Sequence, residues 1–234
     1  MRQIIIDTET TGLEPELGHR VIEIAGVELV NRRLTGNDFH RYLNPERDSE
    51  SAALEVHGLT TEFLRDKPKF PEVAAEFLEF VSGAELVIHN SAFDVAFLNR
   101  ELDLAGMKPV TEYCAAVVDT LRMARELHPG KRNALDALCE RYQVDNSART
   151  LHGALLDARL LGEVYLAMTR GQESLMMEVE IAFSAADVGE AFHADLELLV
   201  LRASEEELVA HEQRLAEINK ASRGKCLWLA LGQA

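Results

Sequence analysis

Cysteine, tryptophan and positive charge are all scarce in this chain, and no apolar run approaches the roughly 18 residues that a membrane helix needs. The three cysteines (Cys114, Cys139 and Cys226) are scattered, odd in number and not spaced like metal ligands, which excludes a disulfide framework and a zinc knuckle. The opening MRQIII offers three consecutive apolar residues before the polar DTET, too few for the core of a secretory signal. A reducing cytoplasm, away from any membrane, is the expected setting. Lys and Arg number 24 against 40 Asp and Glu, for a net charge of −16. The deficit runs along the whole chain, −9 over residues 1–171 and −7 over 172–234. Strong binding of duplex through counterion release is therefore excluded. Contact with nucleic acid would have to run through a small site, through bound cations or through a partner.

What remains is ordinary globular material, 47% hydrophobic and 27% charged, long enough for one substantial domain and an appendage. QIII at residues 3–6 reads as a strand buried on both faces. RVIEIAGVELV and DFHRYLN are further strand-like runs, with NRRLTGN between them as a hairpin connection. PEVAAEFLEFVSG has helical spacing, Pro71 near its start and Gly83 as a stop. AELVIHN is a short strand, and SAFDVAFLNRELDLAG a helix capped near Ser91. AVVDTLRMARELHPG is a strand running into a helix, with Asp119 as N-cap, and NALDALCERYQV and ALLDARLLGEVYLAMTRG are two more helices. An antiparallel opening followed by alternating helix and strand implies an α/β fold, a mixed sheet flanked by helices.

Three short stretches carry the chemistry. In QIIIDTETTGL, Asp7 and Glu9 project from one side of a strand end and Thr8 from the other. In HNSAFD, Asp94 falls in the first turn of a helix that follows a buried strand. In TLHGALLDA, five residues separate His152 from Asp157, about 140° on a continuous helix, so both reach one site only if His152 sits in the connection before the helix. Gly153 would make that bend easy. Each stretch alone has an ordinary reading: a solvated loop acid, a carboxylate favouring a helix dipole, an exposed histidine. Together they place four carboxylates near strand ends, where open sheets gather ligands. With no arginine accompanying them, divalent cations would have to offset their charge. Carboxylates and water suit Mg²⁺ or Mn²⁺, two such ions activate a water and stabilise a leaving oxygen, and His152 can take that water's proton.

DTETTGL, HNSAFD and HGALLDA resemble the three motifs of the DEDDh family of 3′–5′ exonucleases, whose fold is ribonuclease H-like. VNRRLTGN, VHGL, PGKRNALDALC, VYLAMT and the terminal CLW extend the resemblance over nearly the whole chain, toward the proofreading exonucleases of bacterial replicative polymerases. The resemblance implies that Asp7, Glu9, Asp94 and Asp157 bind two Mg²⁺ or Mn²⁺ ions, that His152 is the general base, and that nucleoside 5′-monophosphates are released. Asp7, Thr8, Glu9, Thr10, Leu13, His57, Phe93 and Asp157 would hold the 3′-terminal nucleotide. It also implies the 3′ end of DNA and the polymerase catalytic subunit as partners, with a small third core subunit beside them.

Beyond Gly171 the pattern weakens, and three regions are expected: an exonuclease domain over 1–171, a flexible linker over 172–194, and a small polymerase-binding segment over 195–234. QESLMM resembles the short motif that binds sliding clamps, with Gln172, Leu175 and Met177 as anchors. Ser204 to Glu207 is a capping box opening a helix over 205–220, along which Leu208, Leu215 and Ile218 share a side, and Trp228 follows as an interface anchor. His89 reads as a core histidine, His40 and His128 as exposed, and Lys131 with Arg132 as a solvated loop. Ser91 and Thr120 have no base spaced to serve them as nucleophiles. Two rival readings remain at this point. One is a free-standing exonuclease acting on RNA or short oligonucleotides, which the 63 residues after Gly171 speak against; the other is a non-catalytic scaffold of the polymerase, which the full set of five residues speaks against.

Overall fold

The computed structural model describes residues 1–170 apart from 148 and 150, residues 203–222, and residues 224, 226 and 228. The chain divides into two units, Met1–Met177 and Glu178–Ala234. In the first, β1 (Arg2–Thr10), β2 (Val21–Val30), β3 (Arg33–Tyr42), β4 (Glu85–Ile88) and β5 (Ala116–Asp119) form a mixed sheet in the order β3-β2-β1-β4-β5. The central β1 is antiparallel to β2 and parallel to β4. Helices cover both of its faces, which is why three consecutive isoleucines suit it. Ile4 and Ile6 pack with Phe70, Val73 and Phe77 of α3 (Phe70–Val81) and with Phe97 and Leu98 of α4 (Ser91–Leu104). Ile5 packs on the other face with Ala154, Ala158 and Leu161 of α7 (Ala154–Met168). This sandwiched mixed sheet is the ribonuclease H-like architecture expected from the motifs.

Several boundaries differ from the sequence reading. The β2–β3 connection is two residues, Asn31 and Arg32, both left-handed (φ 49° and 63°), a pair whose twist matches an antiparallel hairpin. β3 therefore starts at Arg33 and takes in LTGN, which the polar composition had marked as loop. Arg32 holds its conformation by donating to Thr169 Oγ1 at 2.8 Å and to the Leu166 carbonyl at 3.0 Å. At the start of α4 the cap lies near Ser91 as expected, at Asn90, in a left-handed conformation (φ 66°) that asparagine tolerates. The Ser91 amide is satisfied from outside, by Asp119 Oδ2 at 3.2 Å. Asp119 also caps α5 (Thr120–Leu127) as expected, accepting from Leu121 N at 2.9 Å and Arg122 N at 3.1 Å. α6 (Leu135–Tyr142) follows.

Two short helices escaped the periodicity. α1 (Ser51–His57) buries only His57 and α2 (Thr61–Leu64) only Leu64, so neither carries an apolar stripe. In the second unit, α8 (Glu205–Ala221) opens with the expected capping box: Glu207 N donates to Ser204 Oγ, and Ser204 N to Glu207 Oε2. Leu208, Ile218 and Trp228 are exposed and Leu215 is half-buried. The linker over 172–194, with Gln172, Leu175 and Met177, lies outside the described residues. Among the described residues no helix is long and apolar enough to cross a membrane.

Candidate active site

The carboxyl end of β1 runs out between the N-termini of α4 and α7, and a cavity of about 760 Å³ opens there. Alternation along β1 turns Asp7 and Glu9 to the side of Ile5, toward α7, where Asp157 occupies the first helical turn. Thr8 faces the α4 side, and its hydroxyl donates to Asp94 Oδ1 at 2.7 Å. The cavity wraps the end of the strand, so Asp7, Thr8, Glu9, Phe93, Asp94, His152 and Asp157 all line it.

Burial makes these acids reluctant to ionise. The Asp7 carboxyl, wrapped in protein although the residue keeps some surface open to the cavity, is held well above its ordinary value by burial and then by repulsion from Asp94, Glu9 and Asp157. Burial, with Asp157 and Glu23 nearby, pushes Glu9 up to about 8. Burial also raises Asp94 to about 7, against the pull of the Thr8 hydrogen bond. His152 lies in the connection before α7, as its spacing from Asp157 requires, and its backbone N–H donates to the Val56 carbonyl at 3.1 Å. Gly153 contributes less than expected: its backbone is extended (φ −158°), which any residue adopts, and the atom nearest to an added Cβ would be 4.0 Å away.

The expectation that no arginine accompanies the acids is overturned. Arg149, three residues before His152, grips Asp157 with both ends of its fork, Nε to Oδ1 at 2.5 Å and Nη2 to Oδ2 at 2.6 Å. Nη1 reaches Asp136 Oδ1 at 2.7 Å, and Nη2 lies 3.0 Å from His152 Nδ1. Its charge lowers the proton affinity of both Asp7 and Glu9, opposing the larger effect of burial. Glu9, His152 and Asp157 each offer a ligand atom, all within 4.8 Å of one another, as a single metal ion would need. Asp7 and Asp94 line the same cavity outside that triplet. A donor set of carboxylates and one imidazole, costly to charge while unneutralised, fits a divalent cation.

The family described as Exonuclease matches residues 4–165. DNA polymerase III subunit epsilon of Escherichia coli (strain K12) is 51% identical over 98% of each chain, and that of Haemophilus influenzae 47% identical over 97% of this chain and 94% of its own. The chain belongs to the exonuclease family, with the polymerase III epsilon subunits. Among solved structures, the nuclease domain of 3′hExo, a DEDDh family member bound to rAMP, superposes with a TM-score of 0.63 at 21% identity, covering 73% of this chain and 92% of that one. Exonuclease X in complex with 5′ overhanging duplex DNA gives 0.57 at 24% identity, with the same coverage. At these identities the likeness concerns the fold alone.

Not every residue implied by the family motifs lines this exonuclease's cavity. Thr10 is buried and donates to the Gly12 carbonyl at 2.7 Å, and Leu13 is 76% exposed. His57 ends α1 beside the carbonyl that anchors His152. Its Nδ1 accepts from Leu59 N at 2.9 Å, its buried Nε2 has no partner among the described residues, and burial lowers its pKa. His89 pairs with Thr120 Oγ1 at 2.9 Å as a core histidine should, yet it also lines the cavity, as do Arg125 and Lys131. His40 and His128 are not simply exposed: one bonds the buried Glu23 at 2.7 Å, the other Tyr142 Oη at 2.6 Å. Arg149 and Asp136 were missed. The signal for Arg149 was present, a basic residue just ahead of the motif that carries His152 and Asp157.

Proposed function

We propose that this exonuclease hydrolyses the 3′-terminal phosphodiester of DNA as the proofreading subunit of a replicative polymerase, releasing nucleoside 5′-monophosphates. The observation that carries the reading is the convergence of Asp7, Glu9, Asp94 and Asp157, from three elements, in one cavity beside the exposed His152. These acids would hold two Mg²⁺ or Mn²⁺ ions, which when bound polarise the attacked phosphate and offset the charge on its leaving oxygen. Thr8 fixes one oxygen of Asp94 and so its orientation. His152 removes the proton of the attacking water, whose oxygen bonds to phosphorus as the 3′ oxygen of the penultimate nucleotide departs. Phe93 on the cavity wall is suited to stack on the terminal base, with Thr8 beside it and Thr10, Leu13 and His57 as the further contacts that the family motifs imply.

The exonuclease region would end near residue 171, with 172–194 as linker and 195–234 docking on the polymerase catalytic subunit; Trp228, 71% exposed, supports that role. Residues 172–177 would reach a sliding clamp, and the setting is the cytoplasm. The test is to incubate the chain with 3′-labelled single-stranded DNA, with and without Mg²⁺. Mononucleotide 5′-phosphates should appear only with the metal. Products bearing 3′-phosphates, or full activity in excess EDTA, would overturn the reading.

A further inference from the structure

Arg149 is the best-held cation of the cavity, its side chain only 7% exposed, and it contacts two of the three groups that could share one metal ion. Both oxygens of Asp157 accept from its fork. A guanidinium has no lone pair to offer and stays protonated, so in its contact with His152 the imidazole Nδ1 must be the acceptor. The neutral ring then carries its proton on Nε2. In that tautomer neither nitrogen can take a proton from water, because one lone pair is engaged and the other nitrogen has none. The same arginine therefore saturates one acid and silences the base.

We propose that Arg149 is the resident counter-ion of this site, holding Asp157 and His152 in an idle arrangement until a divalent cation displaces it toward Asp136. This rests on the reading above that Asp157 is a metal ligand. Asp136 is suited to receive it: Nη1 is already bonded there at 2.7 Å, and the carboxylate is 60% exposed at the cavity rim. As the fork leaves, Nδ1 is freed in the same movement that opens Asp157. Metal loading and activation of the base become one event, and a site without its metal cannot deprotonate water. Arg149 is thus a positioning residue, acting on the chemistry through Asp157 and His152.

The test is Mn²⁺ affinity by calorimetry on the full chain, with Arg149→Gln and Asp136→Asn as variants. Removing a competitor that makes charge-assisted hydrogen bonds should tighten Mn²⁺ binding by roughly tenfold or more in Arg149→Gln. Asp136→Asn, which leaves every proposed ligand in place but removes the carboxylate that receives the displaced fork, should weaken Mn²⁺ binding, and it covers the case in which Arg149→Gln fails to fold: unchanged or tighter binding in Asp136→Asn overturns the proposal. Nitrogen-15 shifts of the His152 ring should show the Nε2–H tautomer in EDTA at pH 8 and a change on adding Mg²⁺. In Arg149→Gln the ring should no longer show that enforced tautomer in EDTA. If Arg149 only orders its loop, Arg149→Gln binds Mn²⁺ equally or more weakly, and the proposal fails. Wild-type chain that binds no Mn²⁺ at all would overturn the two-metal reading as well.

Discussion

At the scale of single residues, the acids dictate a pH response. Carboxyls that titrate near 4 in an unfolded chain are raised in the fold, Glu9 to about 8 and Asp94 to about 7. Between those limits the folded chain keeps protons that the unfolded chain has released, so stability without divalent cation falls as pH rises. The melting temperature in EDTA should drop from pH 5.5 to pH 8, and excess Mg²⁺ should flatten that slope. Glu9→Gln should abolish hydrolysis yet hold or raise the melting temperature in EDTA at pH 8, where it removes a repelled charge. A marked fall in that variant would mean that Glu9 is structural. His152→Gln should lower turnover on the order of 10²–10⁴-fold, the usual contribution of a general base. Because His152 is near enough to Glu9 and Asp157 to ligate, Mn²⁺ affinity is the discriminating measurement. Binding lost as severely as in Asp157→Ala would make it a ligand.

Among the elements, Asp119 does the most joining. From the end of β5 it caps α5 through Leu121 and Arg122, and it receives both the amide and the hydroxyl of Ser91 at the start of α4. Asp94, one turn along α4, takes its position from that helix start. Asp119→Ala should therefore cost about 1–3 kcal/mol, a lost cap plus unpaired donors, measured by urea unfolding. It should also lower activity well short of the loss in Asp94→Ala. A change within 0.3 kcal/mol would show that water replaces the carboxylate. The capping role of Asp119 on α5 was readable because side chain and amides are neighbours in sequence. Its hold on Ser91 was not, since it joins residues 28 apart. α1 and α2 were missed for a related reason: short helices that bury one residue each leave no periodic trace.

For the whole molecule, the charge deficit and the division into two units belong together. A chain of net charge −16 gains little from bulk attraction to DNA, so delivery to a primer end would fall to the partner-binding segment. Deleting residues 195–234 should leave hydrolysis of free single strands intact and abolish copurification with the polymerase catalytic subunit. A truncated chain that still copurifies would put the contact on the exonuclease unit instead. The exposed Leu208, Val209 and Ile218 of α8 are the surface that such a partner would cover.

The sequence by itself determined the buried central strand, the helices with strong apolar spacing, the capping box of α8 and the four candidate acids with their histidine. Each of those is written in local order: a period, a cap, or a chemical type at a strand end. Only tertiary structure decided that Thr8, placed by alternation on the face away from Asp7, meets Asp94 there, that the β2–β3 turn is two residues long, and that the backbone at Gly153 is one any residue adopts. It also decided the place of Arg149. An arginine in a polar stretch reads as solvated until the fold sets its side chain against Asp157 at the start of α7.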